Sequence, residues 1–159
     1  MRVEPAERLD PRAKTLWRLT GALGALPILA GGAFASWVLL RVADVPLLLG
    51  ILPFLGAFAL FAALASVVPD LRWRRWRYEI RNDEVDLQRG ILWISRTLVP
   101  LARIQHVDTQ SGPLQRRFGL ATVVFYTAAG ANSIPELSAP VAAEARDRIA
   151  ELTREQDEL

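Results

Sequence analysis

The chain has 159 residues, 52% hydrophobic and 23% charged, with a formal net charge of +2, no cysteine and one histidine, His106. So small a charge excess excludes a global field for polyanions. The missing cysteines exclude disulfides, thiolate metal sites and a cysteine nucleophile, and suit a cytoplasmic compartment, while a lone histidine excludes a multi-histidine metal centre.

The composition averages two unlike regions. Residues 19–40 and 45–68 carry no charged side chain, and only Arg41-Val42-Ala43-Asp44 separates them. At 1.5 Å per residue the first run is about 33 Å long, enough for a hydrocarbon core of about 30 Å. A chain of this size offers too little protein to bury two such helices, so the pair reads as a transmembrane hairpin. The first run is too long for a signal-peptide core, and no cleaved leader is expected. Pro27 and Pro53 fall inside the runs, where transmembrane helices tolerate them. Pro69 is expected to end the second helix.

Basic residues set the orientation. Arg2, Arg8, Arg12, Lys14 and Arg18 precede the first run, and Arg72, Arg74, Arg75 and Arg77 follow the second. The turn has only Arg41. The positive-inside rule puts both termini in the cytoplasm, at the inner membrane, with the turn outside. Trp17, Trp37, Trp73 and Trp76 fall where interfacial indoles anchor. Gly32/Ser36, Ala59/Ala63 and Ala62/Ser66 are small-xxx-small pairs, suited either to the hairpin packing on itself or to oligomerisation. With no ionisable residue in either run, a pump or transporter is disfavoured.

From Trp73 onward the period changes to two. Trp76, Tyr78 and Ile80 alternate with charges in a first strand. Asn82-Asp83 is a turn, and Glu84 to Arg89 a second strand with Val85 and Leu87 inward. Gly90 permits a reversal, and Ile91 to Val99 is a third strand. Ile104 to Gln110 is the fourth. Leu114 to Phe118 reads as one helical turn, and Leu120 to Thr127, apolar on both faces, as a central fifth strand. Ser133 to Leu137 is a short sixth. A terminal helix opens at Ser138 or Ala139, with Val141, Ala142, Ala145, Ile149 and Leu152 on one stripe. The expected organisation is a cytoplasmic N-terminal segment 1–16, a hairpin 17–69, a domain 73–153 and a frayed tail 154–159. The fold class is an α+β membrane protein whose soluble part is a meander of six antiparallel strands covered by one helix.

The motifs Trp76-x-Tyr78, Arg89-Gly90, Pro100-x-x-Arg103-Ile104-Gln105, Gly112-Pro113-Leu114-Gln115-Arg116, Phe118-Gly119-Leu120-Ala121 and Thr127-Ala128-Ala129-Gly130 resemble the bacterial pleckstrin-homology-like domain once catalogued as a domain of unknown function (DUF304). The resemblance covers residue 73 to about 150 plus the hairpin. It implies a PH-like antiparallel sheet or partly open barrel with a C-terminal helix across one end, and no established activity.

Candidate chemistry is sparse. His106 and Asp108 share one strand face and are a candidate acid–base pair for a membrane-associated hydrolase, but no nucleophile elbow accompanies them. Arg103, Gln105, Gln115 and Arg116 flank the fourth strand as candidate partner contacts. Alternatively, the glutamines satisfy loop backbone and the arginines pair with Glu84, Asp86 or Asp108. Arg72, Arg74, Arg75 and Arg77 are candidate contacts to anionic headgroups, or a topology signal alone. No basic stripe with exposed aromatics suggests nucleic acid, and no glycine loop or ligand spacing suggests a cofactor or metal. The resulting expectation is a non-enzymatic, membrane-anchored binding or scaffold module. Its partner is a protein or another copy of the chain; a binder of lipid or a small apolar ligand is the alternative.

Overall fold

A computed structural model describes residues 4–43 and 45–157 of the chain. Arg2 of the N-terminal basic flank, Asp44 of the turn and the last two residues of the tail lie outside the described residues. The chain divides into two compact units, one of Trp17–Leu71 and one of Met1–Leu16 with Arg72–Leu159.

Two helices are long and apolar enough to cross a bilayer: Arg12–Arg41, of 30 residues, and Leu47–Arg75, of 29. The first is the unbroken helix α1 (Arg12–Arg41), in which Pro27 is tolerated. The second is built from α2 (Leu47–Gly50), α3 (Leu52–Ala62), a π-helical turn (Ala63–Val67) and α4 (Val68–Arg75). Large apolar side chains such as Phe34, Leu48 and Phe58 are exposed on this unit, as a lipid-facing surface requires.

Small residues bring the two helices of this unit together. A Cβ added at Gly32 would meet the Cβ of Ala57 at 2.2 Å, and one at Gly21 would meet the Leu64 carbonyl oxygen at 2.6 Å. Ser36 Oγ accepts a hydrogen bond from the Phe54 N–H at 3.0 Å, one of the donors that the first turn of α3 leaves without an intrahelical acceptor. The Gly32/Ser36 pair therefore serves the hairpin itself. Arg18 closes its base with both guanidinium–carboxylate contacts to Asp70 at 2.9 Å.

Pro69 does not end the second helix, contrary to expectation; α4 continues to Arg75. The π-helical turn lies immediately upstream. Its wider spacing accommodates a residue that has no N–H and whose ring crowds the preceding turn. Ser66 Oγ donates to the Ala62 carbonyl beside it, satisfying an acceptor in the disturbed stretch.

The other unit holds two sheets rather than one meander. The first has the order β1 (Glu7–Arg8), β2 (Arg77–Ile80), β3 (Glu84–Arg89), β4 (Ser95–Pro100); the second has β5 (Ile104–Gln110), β6 (Leu120–Thr127), β7 (Gly130–Ser138). All pairings are antiparallel, and the sheets do not close into a barrel. A 3-10 turn (Leu101–Arg103) leads from one sheet to the other. Helix α5 (Pro113–Arg117) is the expected single turn. Helix α6 (Ala139–Asp157) packs on β5, β6 and β7, and continues past the expected start of the frayed tail. Its Ala142, Ala145 and Ile149 are buried, while Val141 is exposed and Leu152 half-buried. With Val85, Leu87, Leu101, Val123, Phe125, Ile134 and Leu137 they form the core.

Four local differences from the sequence reading have physical causes. Strand β1 is short and polar, giving no alternation to detect, yet it pairs Glu7 with Tyr78 and Arg8 with Arg77. The third strand begins at Ser95, not Ile91, because the turn after β3 takes the five residues Gly90 to Ile94. Gly90 adopts φ +125°, and a Cβ there would lie 1.8 Å from the Trp93 carbonyl oxygen. Strand β7 runs the length of β6 rather than stopping at five residues. Pro135 and Glu136 form a bulge opposite Thr122, since Ala121 pairs with Leu137 and Val123 with Ile134. A proline without an N–H sits in such bulges, and Glu136 there takes a positive φ of 52°. Finally, β3 is buried on both faces: Asp86 and Gln88 are covered as well as Val85 and Leu87.

Candidate functional site

Among the described residues, strand β5 pairs with β6 along one side only. Its other edge borders a groove of about 620 Å³ lined by Ala102, Ile104, Gln105, His106 and Val107 and, from α6, Ala150, Thr153 and Arg154. At Gln105 the ladder is interrupted. Ile104 faces Thr127 and His106 faces Tyr126, so Gln105 has no opposite number in β6. Bulges of this kind re-aim a side chain and tend to sit at sheet edges. Gln105 and Arg103 are exposed. The groove thus offers an unpaired strand edge, a helix wall and exposed polar side chains, which is the chemistry an extended peptide needs to add a strand.

The other two candidate contacts do not join this rim. Gln115 and Arg116 follow β5 and Arg103 precedes it, so about 20 Å of strand separates the pairs. Gln115 is occupied as a loop brace: its Oε1 accepts from the Gly112 N–H at 2.9 Å, and its Nε2 donates to Thr122 Oγ1 at 2.9 Å. Arg116 is exposed.

His106 Nε2 lies 2.9 Å from Asp108 Oδ1, with both side chains largely exposed. The His106 ring tilts against Tyr126 with centroids 6.1 Å apart. Ser111, the serine closest in sequence, donates its hydroxyl to the Leu120 carbonyl. Among the described residues no group of three or more His, Asp or Glu is placed to hold a metal.

Asp86 is a buried carboxylate of the first sheet. Its fully buried carboxylate accepts from Arg96 Nε at 2.9 and 3.2 Å and from Arg96 Nη2, and Arg81 Nη2 stands 3.6 Å away. The hydrogen bond to Asp86 raises the Arg96 guanidinium above its ordinary value, and that to Glu79 raises Arg81. Asp86 therefore holds Arg81 and Arg96, not Arg103 or Arg116.

Of the four juxtamembrane arginines, Arg72, Arg74 and Arg75 occupy the last turn of α4, where cations complement the helix dipole. Arg77 opens β2, with Glu4 at 3.9 Å. The tryptophans divide differently from expectation. Trp76 and Trp17 are buried and Trp37 is exposed. Trp73 is a clamp for the N-terminal segment: its Nε1–H donates to the Leu9 and Asp10 carbonyls, each at 3.1 Å, and Lys14 Nζ lies 4.5 Å from the ring centroid. The most exposed tryptophan is Trp93, at 84%, in the stretch expected to be strand. An apolar run directly after a glycine reversal was its only sequence signal, and strands carry the same signal.

A model of the family described as bacterial PH domain matches residues 37–153. The UPF0699 transmembrane protein YdbS of Bacillus subtilis (strain 168) is 35% identical over 161 residues, covering 99% of each chain. The UPF0699 transmembrane protein YdbT of the same strain is 28% identical over 97 residues, covering 61% of this chain and 19% of that one. No solved structure matches significantly.

Proposed function

The chain belongs to the bacterial PH domain family, and we propose that it is a non-enzymatic binding module, anchored by its helical hairpin at the inner face of the cytoplasmic membrane with both termini in the cytoplasm. Its partner is a protein, or a second copy of the chain, that lays an extended segment along β5. The observation that carries this reading is the unpaired edge of β5, bulged at Gln105, opening onto the groove against α6. Backbone hydrogen bonds along such an edge supply affinity, and side chains in the flanking groove supply selectivity. An unpaired edge is otherwise a liability that proteins cover. On this reading Arg103 and Gln105 border the partner, whereas Gln115 holds a loop. The basic residues of α4 and β2 keep the domain against anionic headgroups.

The test is Ala150→Trp. Ala150 lines the groove from α6 and is half-buried, so an indole there fills the groove and leaves the core residues Ala142, Ala145 and Ile149 in place. The full chain is purified from native membranes in mild detergent. A stoichiometric partner, or self-association, that the wild type retains and Ala150→Trp loses supports the proposal. A partner held equally by both proteins places binding elsewhere. A co-purifying lipid displaced by the tryptophan would support the ligand-binding alternative.

A further inference from the structure

The five-residue turn between β3 and β4, Gly90 to Ile94, presents bare apolar surface. Leu92 is 83% exposed, Trp93 84% and Ile94 49%. Turn tips are ordinarily polar, and a Leu-Trp-Ile tip in water is unfavourable unless something covers it. The tip is also built rather than loose. Gly90 has a positive φ and leaves no room for a Cβ beside the Trp93 carbonyl, and β3 and β4 pair to their ends, Arg89 with Ser95.

The register says which end of the sheet carries this tip. Arg8 pairs with Arg77, Arg77 with Gln88, and Gln88 with Arg96. The end of β1, the start of β2, the end of β3 and the start of β4 therefore lie in one row. The same row is where the chain leaves β1 for the apolar helices and returns into β2, with Trp76 the single residue between α4 and β2. The Asn82-Asp83 turn is at the opposite end. Charge is graded in the same sense: Arg8 and Arg89 are exposed in this row, as is Arg75 just before it. Near this end Glu4 lies 3.9 Å from Arg77, Glu7 is hydrogen-bonded to Tyr78, and Asp10, just after β1, pairs with Arg12.

We propose that the Ile91–Ile94 turn is a second membrane-contact site, in which Leu92 and Trp93 enter the headgroup region of an anionic bilayer while Arg89 and Arg8 meet lipid phosphates. Tryptophan prefers that depth because its ring is apolar and its N–H can still reach a polar partner. Neighbouring arginines add attraction to anionic lipid, effective within a Debye length of about 8 Å at physiological salt. The chain passes to and from the spanning helices at this end of the sheet. A protein partner is a poorer occupant: a tip of four residues offers only a small part of the roughly 800 Å² per partner of a stable interface. This contact rests on membrane attachment alone and is independent of the β5 groove.

The chain has no native cysteine, so Leu92→Cys gives a unique labelling position on an exposed side chain, and Asp83→Cys gives a control in the opposite turn. The full-length variants are labelled with an environment-sensitive fluorophore and reconstituted into vesicles of phosphatidylcholine with or without phosphatidylglycerol. In phosphatidylglycerol vesicles the label at 92 should shift to the blue. It should be quenched several-fold more by a lipid-borne nitroxide than by aqueous iodide, with the label at 83 showing the reverse. Quenching of both labels by iodide alike would overturn the proposal. So would shielding at 92 from both quenchers that grows with protein density, which would mean a protein contact. Equal insertion into neutral vesicles would remove the role assigned to the arginines.

Discussion

Leu9→Asp tests whether the N-terminal segment is part of the domain. Leu9 is 2% exposed, next to β1. Its carbonyl and that of Asp10 take the Trp73 indole N–H, and the Asp10 N–H donates to the Glu136 carbonyl at 3.2 Å. Truncating a buried leucine to alanine costs about 2–5 kcal/mol, and burying an unpaired carboxylate costs several more. The segment can escape the larger penalty by detaching. The loss is then capped at its docking energy: one buried leucine, a few hydrogen bonds of about 1 kcal/mol each and a two-residue ladder. We therefore expect a loss of about 3 kcal/mol. For a domain of roughly a hundred residues, each 1 kcal/mol moves the midpoint by about 4–8 °C, so the melting temperature should fall by about 12–24 °C. The assay is thermal unfolding of the full chain in detergent, followed by tryptophan fluorescence, with Ala6→Asp as an exposed control in the same segment. No shift for Leu9→Asp, or the same shift for Ala6→Asp, would refute the reasoning. The same logic predicts that a fragment beginning at Arg72 folds poorly unless residues 4–11 are joined to it through a flexible linker.

Three further outcomes follow from the geometry. Gly32→Leu should force the hairpin helices apart, because even a Cβ there collides with Ala57; Ser36→Ala should cost only about 1 kcal/mol through the Phe54 N–H, and melting in micelles ranks the two. Tyr78 is pushed above its ordinary value, first by burial and then by its hydrogen bond to Glu7. The folded state thus holds the phenolic proton more tightly; this stabilisation is complete below about pH 10 and is lost as pH rises past it. Tyr78→Phe should flatten the alkaline limb of the stability curve, and an unchanged limb would count against the assignment. His106→Ala should leave the melting temperature within about 0.5 kcal/mol equivalent of wild type, since its pairing with Asp108 is solvent-exposed.

The parts of the fold legible in the sequence were those with a strong local pattern. The two uncharged runs gave the two long apolar helices, alternation gave β3, β-compatible composition gave β5, and a run apolar on both faces gave β6. Strand β1 was invisible because two polar residues have no period; only its pairing with β2 defines it. Alternation also tells which side chains share a face, not what covers that face. Asp86 was read as outward, yet Arg96 of β4 and Arg81, just past the end of β2, seal it. Tryptophan position was misleading for a similar reason. Closeness in sequence to a membrane segment pointed to Trp73, which instead clamps the N-terminal segment; Trp76 was also placed on the apolar face of the first strand and is buried, while Trp93 stands bare at a turn. Arg103 and Gln105 were singled out from their motif, and of the two Gln105 lines the groove. The α6 wall of Ala150, Thr153 and Arg154 was not legible, because it comes from almost fifty residues further on.

The most direct test of the central claim is photo-crosslinking from the β5 edge in native membranes. A photoreactive residue replaces Gln105 in the full-length chain, with a matched replacement of Asp83 in the remote turn. The account predicts a discrete protein adduct from position 105, abolished by Ala150→Trp and absent from position 83. An adduct to lipid only, the same adducts from both positions, or none from position 105 would contradict it.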